Sequence, residues 1–92
     1  MKEFRKSEEG NLTELRRMLV NFSNRREEFF SKGYLNSDGK KAMVRMIKVA
    51  AKASPYIKVK LINAYRKGDE ITISRAIGAI IDYIELLLNG GG

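Results

Sequence analysis

Apolar residues recur at three-, four- and seven-residue steps early in the chain, at Leu12, Leu15, Leu19, Phe22 and Phe29. That period lays one stripe along a helix, because about 3.6 residues complete a turn. Asn11, followed three residues later by Glu14, reads as a capping box and sets the predicted start of this helix. Glu28 and Lys32 form a favourable pair four residues apart near its predicted end. Gly33 is placed to take the left-handed conformation that closes a helix. Adjacent Phe29 and Phe30 cannot share one helical face, so the second is wedged under the following loop or joins an interface.

Asn36-Ser37-Asp38-Gly39 gathers turn and cap residues, and a second helix is predicted over 37–53 with Met43, Ile47, Ala50 and Ala51 facing inward. Ser54-Pro55 then breaks the chain: Ser suits an N-cap, and Pro suits the first helical position, where its missing N–H costs nothing. The third helix runs to Lys67 with Gly68 as its stop, and carries Ile57, Leu61, Ala64 and Tyr65 inward, flanked by Val59 and Ile62. Residues 56–62 also alternate in part, which reads as a short strand, but helix punctuation at both ends favours the helix.

The fourth helix is predicted over 72–88, with a polar stripe of Arg75, Gly78, Asp82, Glu85 and Asn89. Ile77, Ile80, Ile81, Ile84 and Leu88 are expected to be largely buried. A helix apolar around most of its circumference is either central to a bundle or covered by a partner, here a second copy or another protein. The expected fold is all-α, a small four-helix bundle. An N-terminal extension is expected over 1–10, one helical-bundle domain over 11–89, and a flexible glycine tail over 90–92.

Composition narrows the chemistry. Ninety-two residues make one domain, too small to enclose a large active-site cavity. Without cysteine there is no disulfide, thiolate metal site or cysteine nucleophile, and without histidine the commonest general base and metal ligand is missing. Asp69-Glu70 is explained by the dipole of the helix it begins, and Asp82 and Glu85, one turn apart, have no partner suited to a metal. Gly39-Lys40-Lys41 lacks the phosphate-loop pattern. The expectation is a non-enzyme without cofactor, metal or small-molecule substrate. The first nine residues lack the apolar region of a signal peptide, and Arg75, Asp82 and Glu85 interrupt the longest apolar stretch, so a cytoplasmic chain without a membrane partner is expected.

Charge supplies the functional candidate. Of the net +7, residues 33–67 carry +8: Lys40, Lys41, Arg45, Lys48, Lys52, Lys58, Lys60, Arg66 and Lys67 against one acid, Asp38. Residues 1–32 carry +2 and residues 68–92 carry −3. Lys41, Arg45, Lys48 and Lys52 recur at one-turn steps on the second helix, the spacing that lets a row of cations follow consecutive phosphates. The nine bases are therefore the candidate nucleic-acid-binding residues, with backbone contacts independent of sequence. A solvated basic face, or one facing an acidic protein or membrane surface, is the competing explanation. Arg16-Arg17 and Arg25-Arg26 are interleaved with Glu14, Glu27 and Glu28 and read as self-neutralising surface pairs. Tyr34, Tyr56 and Tyr65 lie at element edges near the bases, positioned either to stack on unpaired bases or to pack their rings on the core, and packing is the favoured expectation.

A small, basic, all-helical chain with these nine bases and no catalytic residues resembles the small subunits of CRISPR effector complexes, the Cascade small-subunit group. The resemblance lies in architecture and charge. It implies a helical module of antiviral defence that stacks within a ribonucleoprotein and lines the path of RNA or DNA. Residues 72–88 also resemble the second helix of a ribbon-helix-helix repressor with 56–62 as its ribbon, although only about eleven residues separate that ribbon from Ser74. A helix-turn-helix regulator built from the second and third helices is a related reading, and a viral or adaptor protein acting through protein contacts is a third.

Overall fold

The structure is a computed structural model that describes residues 6–90. Met1 to Arg5 and Gly91-Gly92, and with them parts of the expected extension and tail, lie outside the described residues. The elements are α1 (Lys6–Asn24), α2 (Arg26–Phe29), β1 (Phe30–Ser31), β2 (Tyr34–Leu35), α3 (Ser37–Ala53), α4 (Pro55–Lys67) and α5 (Glu70–Gly90). The chain is thus mainly helical, but its described residues form five helices and a two-stranded hairpin where four helices were expected.

α1 is already helical at Lys6, five residues before the predicted start at Asn11. No capping box forms at Asn11: Glu14 instead accepts hydrogen bonds from Arg17, one turn on in the same helix. Lys6, Glu8 and Glu9 are good helix formers, so nothing in the preceding turn stops the helix.

The larger correction is at the far end. The helix breaks at Arg25 (φ −116°, ψ 33°), and after the single turn of α2 the chain folds back as β1–β2. Ser31 pairs with Tyr34 across Lys32 (φ 54°) and Gly33 (φ 85°). Two successive positive φ values make a type I′ turn, whose twist matches that of an antiparallel pair. Gly33 does take positive φ, but it closes a hairpin, not a helix. Glu28 pairs with Arg25, not Lys32. The reversal lets both adjacent phenylalanines reach Phe22: Phe29 stacks on it at 4.5 Å between centroids, and Phe30 meets it edge-on at 5.9 Å. The hairpin also clasps the α4–α5 junction, with Leu35 N–H donating to Gly68 O (2.9 Å) and Glu70 N–H to Gly33 O (2.8 Å).

Asn36 seats α3 on this hairpin. Its backbone N–H donates to Phe29 O (3.0 Å), its Nδ2 to Glu28 O (3.0 Å), and its Oδ1 caps α3 by accepting from Gly39 N–H (2.8 Å). The cap is therefore Asn36, with Ser37 as the first helical residue, and α3 spans the expected residues. Ser54 closes α3 through its N–H to Ala50 O (2.8 Å), and its Oγ opens α4 by accepting from Ile57 N–H (3.3 Å). α4 ends at Gly68 (φ 74°), as the punctuation predicts. The strand and ribbon reading of 56–62 is overturned: Ile57 and Leu61 are buried while Val59 between them is 54 % exposed, a helical period.

α1 packs on α3 and α5, and α4 packs on α3 and α5, so α3 and α5 lie across the core from each other. The core gathers Leu12, Leu15, Leu19 and Phe22 with Phe30, Leu35, Met43, Met46, Ala50, Ile57, Leu61, Ala64, Ile73, Ile77, Ile80 and Ile84. Met46 takes the inward position expected of Ala51, which is exposed because it sits a third of a turn beyond Ala50. Ile81 and Leu88 are half-buried at the edge of α5, less than expected.

Asp69 caps α5, its Oδ2 accepting from Thr72 N–H (2.9 Å), and that bond is the main reason its carboxyl titrates below the ordinary aspartate value of 3.8. A depressed folded value means that its stabilisation is complete above the ordinary value and is lost as pH falls through the depressed one. An NMR titration of Asp69 is therefore expected to show a midpoint below 3.8. Asp69→Asn, which keeps a cap without a charge, is expected to remove part of the acid-induced fall in melting temperature.

Candidate nucleic-acid interface

α3 buries Gly39, Met43, Met46 and Ala50 along one side. Lys41, Arg45, Lys48 and Lys52 fall on the opposite side of the same helix, and all four are exposed. The period that builds the core contact therefore also builds the basic ridge: the inward and outward sets each repeat at three or four residues, about half a turn out of phase. The ridge runs roughly 16 Å from Lys41 to Lys52 at about 1.5 Å per residue.

Among the described residues none of these four bases is paired with a carboxylate. The ion pairs among the described residues are Arg16–Glu85, Arg17–Glu14, Arg25–Glu28 and Arg26–Glu70. Arg16, Arg17, Arg25 and Arg26 are thus neutralised, two of them locally as expected. The other two are neutralised by α5, where Glu85 holds Arg16 through Nε (3.0 Å) and Nη2 (2.5 Å) and Glu70 holds Arg26 (3.2 Å). Glu27, expected to share in this, makes no ion pair among the described residues. Hydrogen bonds from Arg17 and Arg25 hold the Glu14 and Glu28 carboxyls below the ordinary glutamate range. Among the residues whose side chains are described, the cations left without a carboxylate partner are those of α3 and α4, together with Lys32 and Arg75.

A groove lies on each side of the ridge. Towards α1 and α2 it holds about 370 Å³, with Met18, Phe22, Phe29 and Met46 beneath a mixed rim of Arg17, Arg25, Lys41, Arg45, Glu28 and Asp38. Towards α4 it holds about 400 Å³ and is lined by Lys40, Lys41, Val44, Arg45, Lys48 and Tyr65, with no acid. A further depression, of about 390 Å³, shares Lys40 and Tyr65 and adds Tyr34, Arg66 and Lys67. The α4 side is therefore continuously basic from Lys48 to Lys67. Lys58 lies seven residues before Tyr65, on the same side of α4 by helical period.

Lys60 is the exception among the nine candidates. Its Nζ sits 5.4 Å from the Tyr56 ring centre, and Tyr56 in turn meets Tyr83 of α5 edge-on at 5.0 Å. Lys60 therefore belongs to the α5 flank, away from the ridge. The tyrosines divide likewise: Tyr65 packs on the core as expected, and Tyr56 is 52 % exposed while resting on Tyr83. Tyr34, at 61 % exposed, stands out beside Arg66 and Lys67 and is not packed as expected. The phenylalanine-floored groove is not foreseen from sequence, and the one local signal for it is the Lys32-Gly33 turn that brings Phe29 and Phe30 back over Phe22.

Comparison with protein-family models, curated proteins and solved structures finds no match to the chain. Among the described residues no helix is long and apolar enough to cross a membrane, and no three acidic side chains cluster as metal ligands would.

Proposed function

We propose that this chain is a non-catalytic module that binds the sugar–phosphate backbone of nucleic acid along the outer ridge of α3, as a small subunit of a larger ribonucleoprotein of the CRISPR effector kind. Its four long helices work as a bundle, with α2 as an accessory turn. The observation that carries this reading is the row Lys41, Arg45, Lys48 and Lys52, aimed away from the core and free of carboxylate partners among the described residues. Cations without internal partners keep their full attraction for an external polyanion, and each phosphate they neutralise releases condensed counterions. Such contacts fix position without reading bases. Lys40, Arg66 and Lys67 extend the surface towards α4, and exposed Tyr34 offers a ring face on which an unpaired base can stack.

Two single variants test the reading on labelled single-stranded RNA and DNA and on duplexes of several sequences. Lys48→Ala is expected to weaken binding by a similar factor on every sequence and to reduce the salt slope by about 0.7–0.9. Lys60→Ala, off the ridge, is expected to leave affinity within about twofold. Equal losses from the two would mean that general positive charge, and not the ridge, drives binding. Binding by an acidic protein alone would favour the adaptor reading.

A further inference from the structure

The outer face of α5 takes no part in the core. Ile71 is 66 % exposed and Leu86 67 %, and Arg75, Gly78, Ala79 and Asp82 between them are exposed as well. We propose that this face pairs with the same face of a second copy of the chain, the two α5 helices antiparallel about a two-fold axis passing between Gly78 and Ala79.

Three features point to this partner and register. The face is self-complementary about that midpoint: Gly78 mirrors Ala79, Arg75 mirrors Asp82, and Ile71 mirrors Leu86. An isologous contact demands this, since each residue must suit the residue that its mirror position brings opposite. Arg75 and Asp82 make no ion pair among the described residues, although four other arginines do. An antiparallel copy supplies each with its opposite charge, twice per dimer, whereas a parallel copy would set Arg75 level with Arg75 and Asp82 level with Asp82. Finally, Gly78 weakens a helix interior for no reason internal to the fold, since a Cβ added there would meet nothing within 4 Å. With Ala79 it leaves the centre of the face low, where a second helix can approach closely.

The contact runs roughly 22 Å from Ile71 to Leu86 at about 1.5 Å per residue. Because α3 lies across the core from α5, the two basic ridges of the dimer face outward on opposite sides. The pairing is independent of what the ridges bind, and its test needs no nucleic acid.

Sedimentation equilibrium of the full chain from about 1 to 300 µM is expected to show a monomer–dimer equilibrium in the micromolar range, as suits a small interface. Arg75→Asp alone, which sets like charges together at both ends, is expected to weaken dimerisation at least about tenfold, and Asp82→Arg alone likewise. The double variant Arg75→Asp/Asp82→Arg restores both pairs by symmetry and is expected to return to within about threefold of wild type. Gly78→Leu, which raises the centre of the face, is also expected to weaken it at least about tenfold. Unchanged circular dichroism and melting would verify that each variant is folded. A monomer at every concentration would overturn the proposal. So would a dimer indifferent to the single variants, which would place the contact elsewhere, or failure of the double variant to recover.

Discussion

Reversing Lys41, Arg45, Lys48 and Lys52 to glutamate together is expected to lower nucleic-acid affinity by at least about a thousandfold near 0.1 M salt, with little change in thermal stability. Each reversal removes one phosphate contact and puts a repelling charge in its place. The four shift the chain from a net +7 to −1, so the general attraction for a polyanion is lost as well. The fold should tolerate the change because all four side chains are exposed and none has an internal carboxylate partner among the described residues. Glutamate also matches lysine and arginine closely in helix propensity. Fluorescence anisotropy reads the affinity, and a melting curve verifies the fold. Retained binding by a folded quadruple variant would remove α3 from the interface.

Gly39→Ala is expected to destabilise the chain by about 3 kcal/mol, a fall of roughly 15 °C in melting temperature for a domain of this size. The sign is the telling part, because alanine in a helix interior normally improves on glycine by about 1 kcal/mol. Here an added Cβ would overlap the Phe29 carbonyl oxygen and lie 2.8 Å from Leu35 Cδ2. The Phe29 oxygen cannot retreat freely, since it accepts the Asn36 N–H that seats the start of α3. Gly10→Ala provides the contrast: its Cβ would meet nothing within 4 Å, so the ordinary gain of up to about 1 kcal/mol is expected. Equal effects at the two glycines would mean that α3 does not press against the hairpin as described.

These two sites differ in how far the chain announces them. The ridge is legible because its spacing and that of Met43, Met46 and Ala50 obey the same helical period. Ser54-Pro55 and Gly68 are legible for a similar reason: a cap is a local bargain between a side chain and a backbone two or three residues away. The close approach at Gly39 is not, because it depends on a hairpin held by distant residues, with Leu35 bonded to Gly68 and Glu70 to Gly33. Lysine seldom takes positive φ, so Lys32-Gly33 is a faint turn signal beside the helix-forming run of 25–28. The displacement of Lys60 is equally hidden, since the two flanks of α4 differ only once Tyr83 of α5 covers Tyr56. So are the Arg16–Glu85 and Arg26–Glu70 pairs, which settle which bases remain free.

The salt dependence of wild-type binding is the measurement to make first. Four phosphates neutralised along α3 give a slope of log K against log salt of about −3 on single strands and about −3.5 on duplex DNA, and steeper values if Lys40, Arg66 and Lys67 join. A slope in that range, alike across unrelated sequences, is the expected result. A slope near zero, or no binding by the folded chain at about 50 mM salt, would contradict a phosphate-tracking ridge.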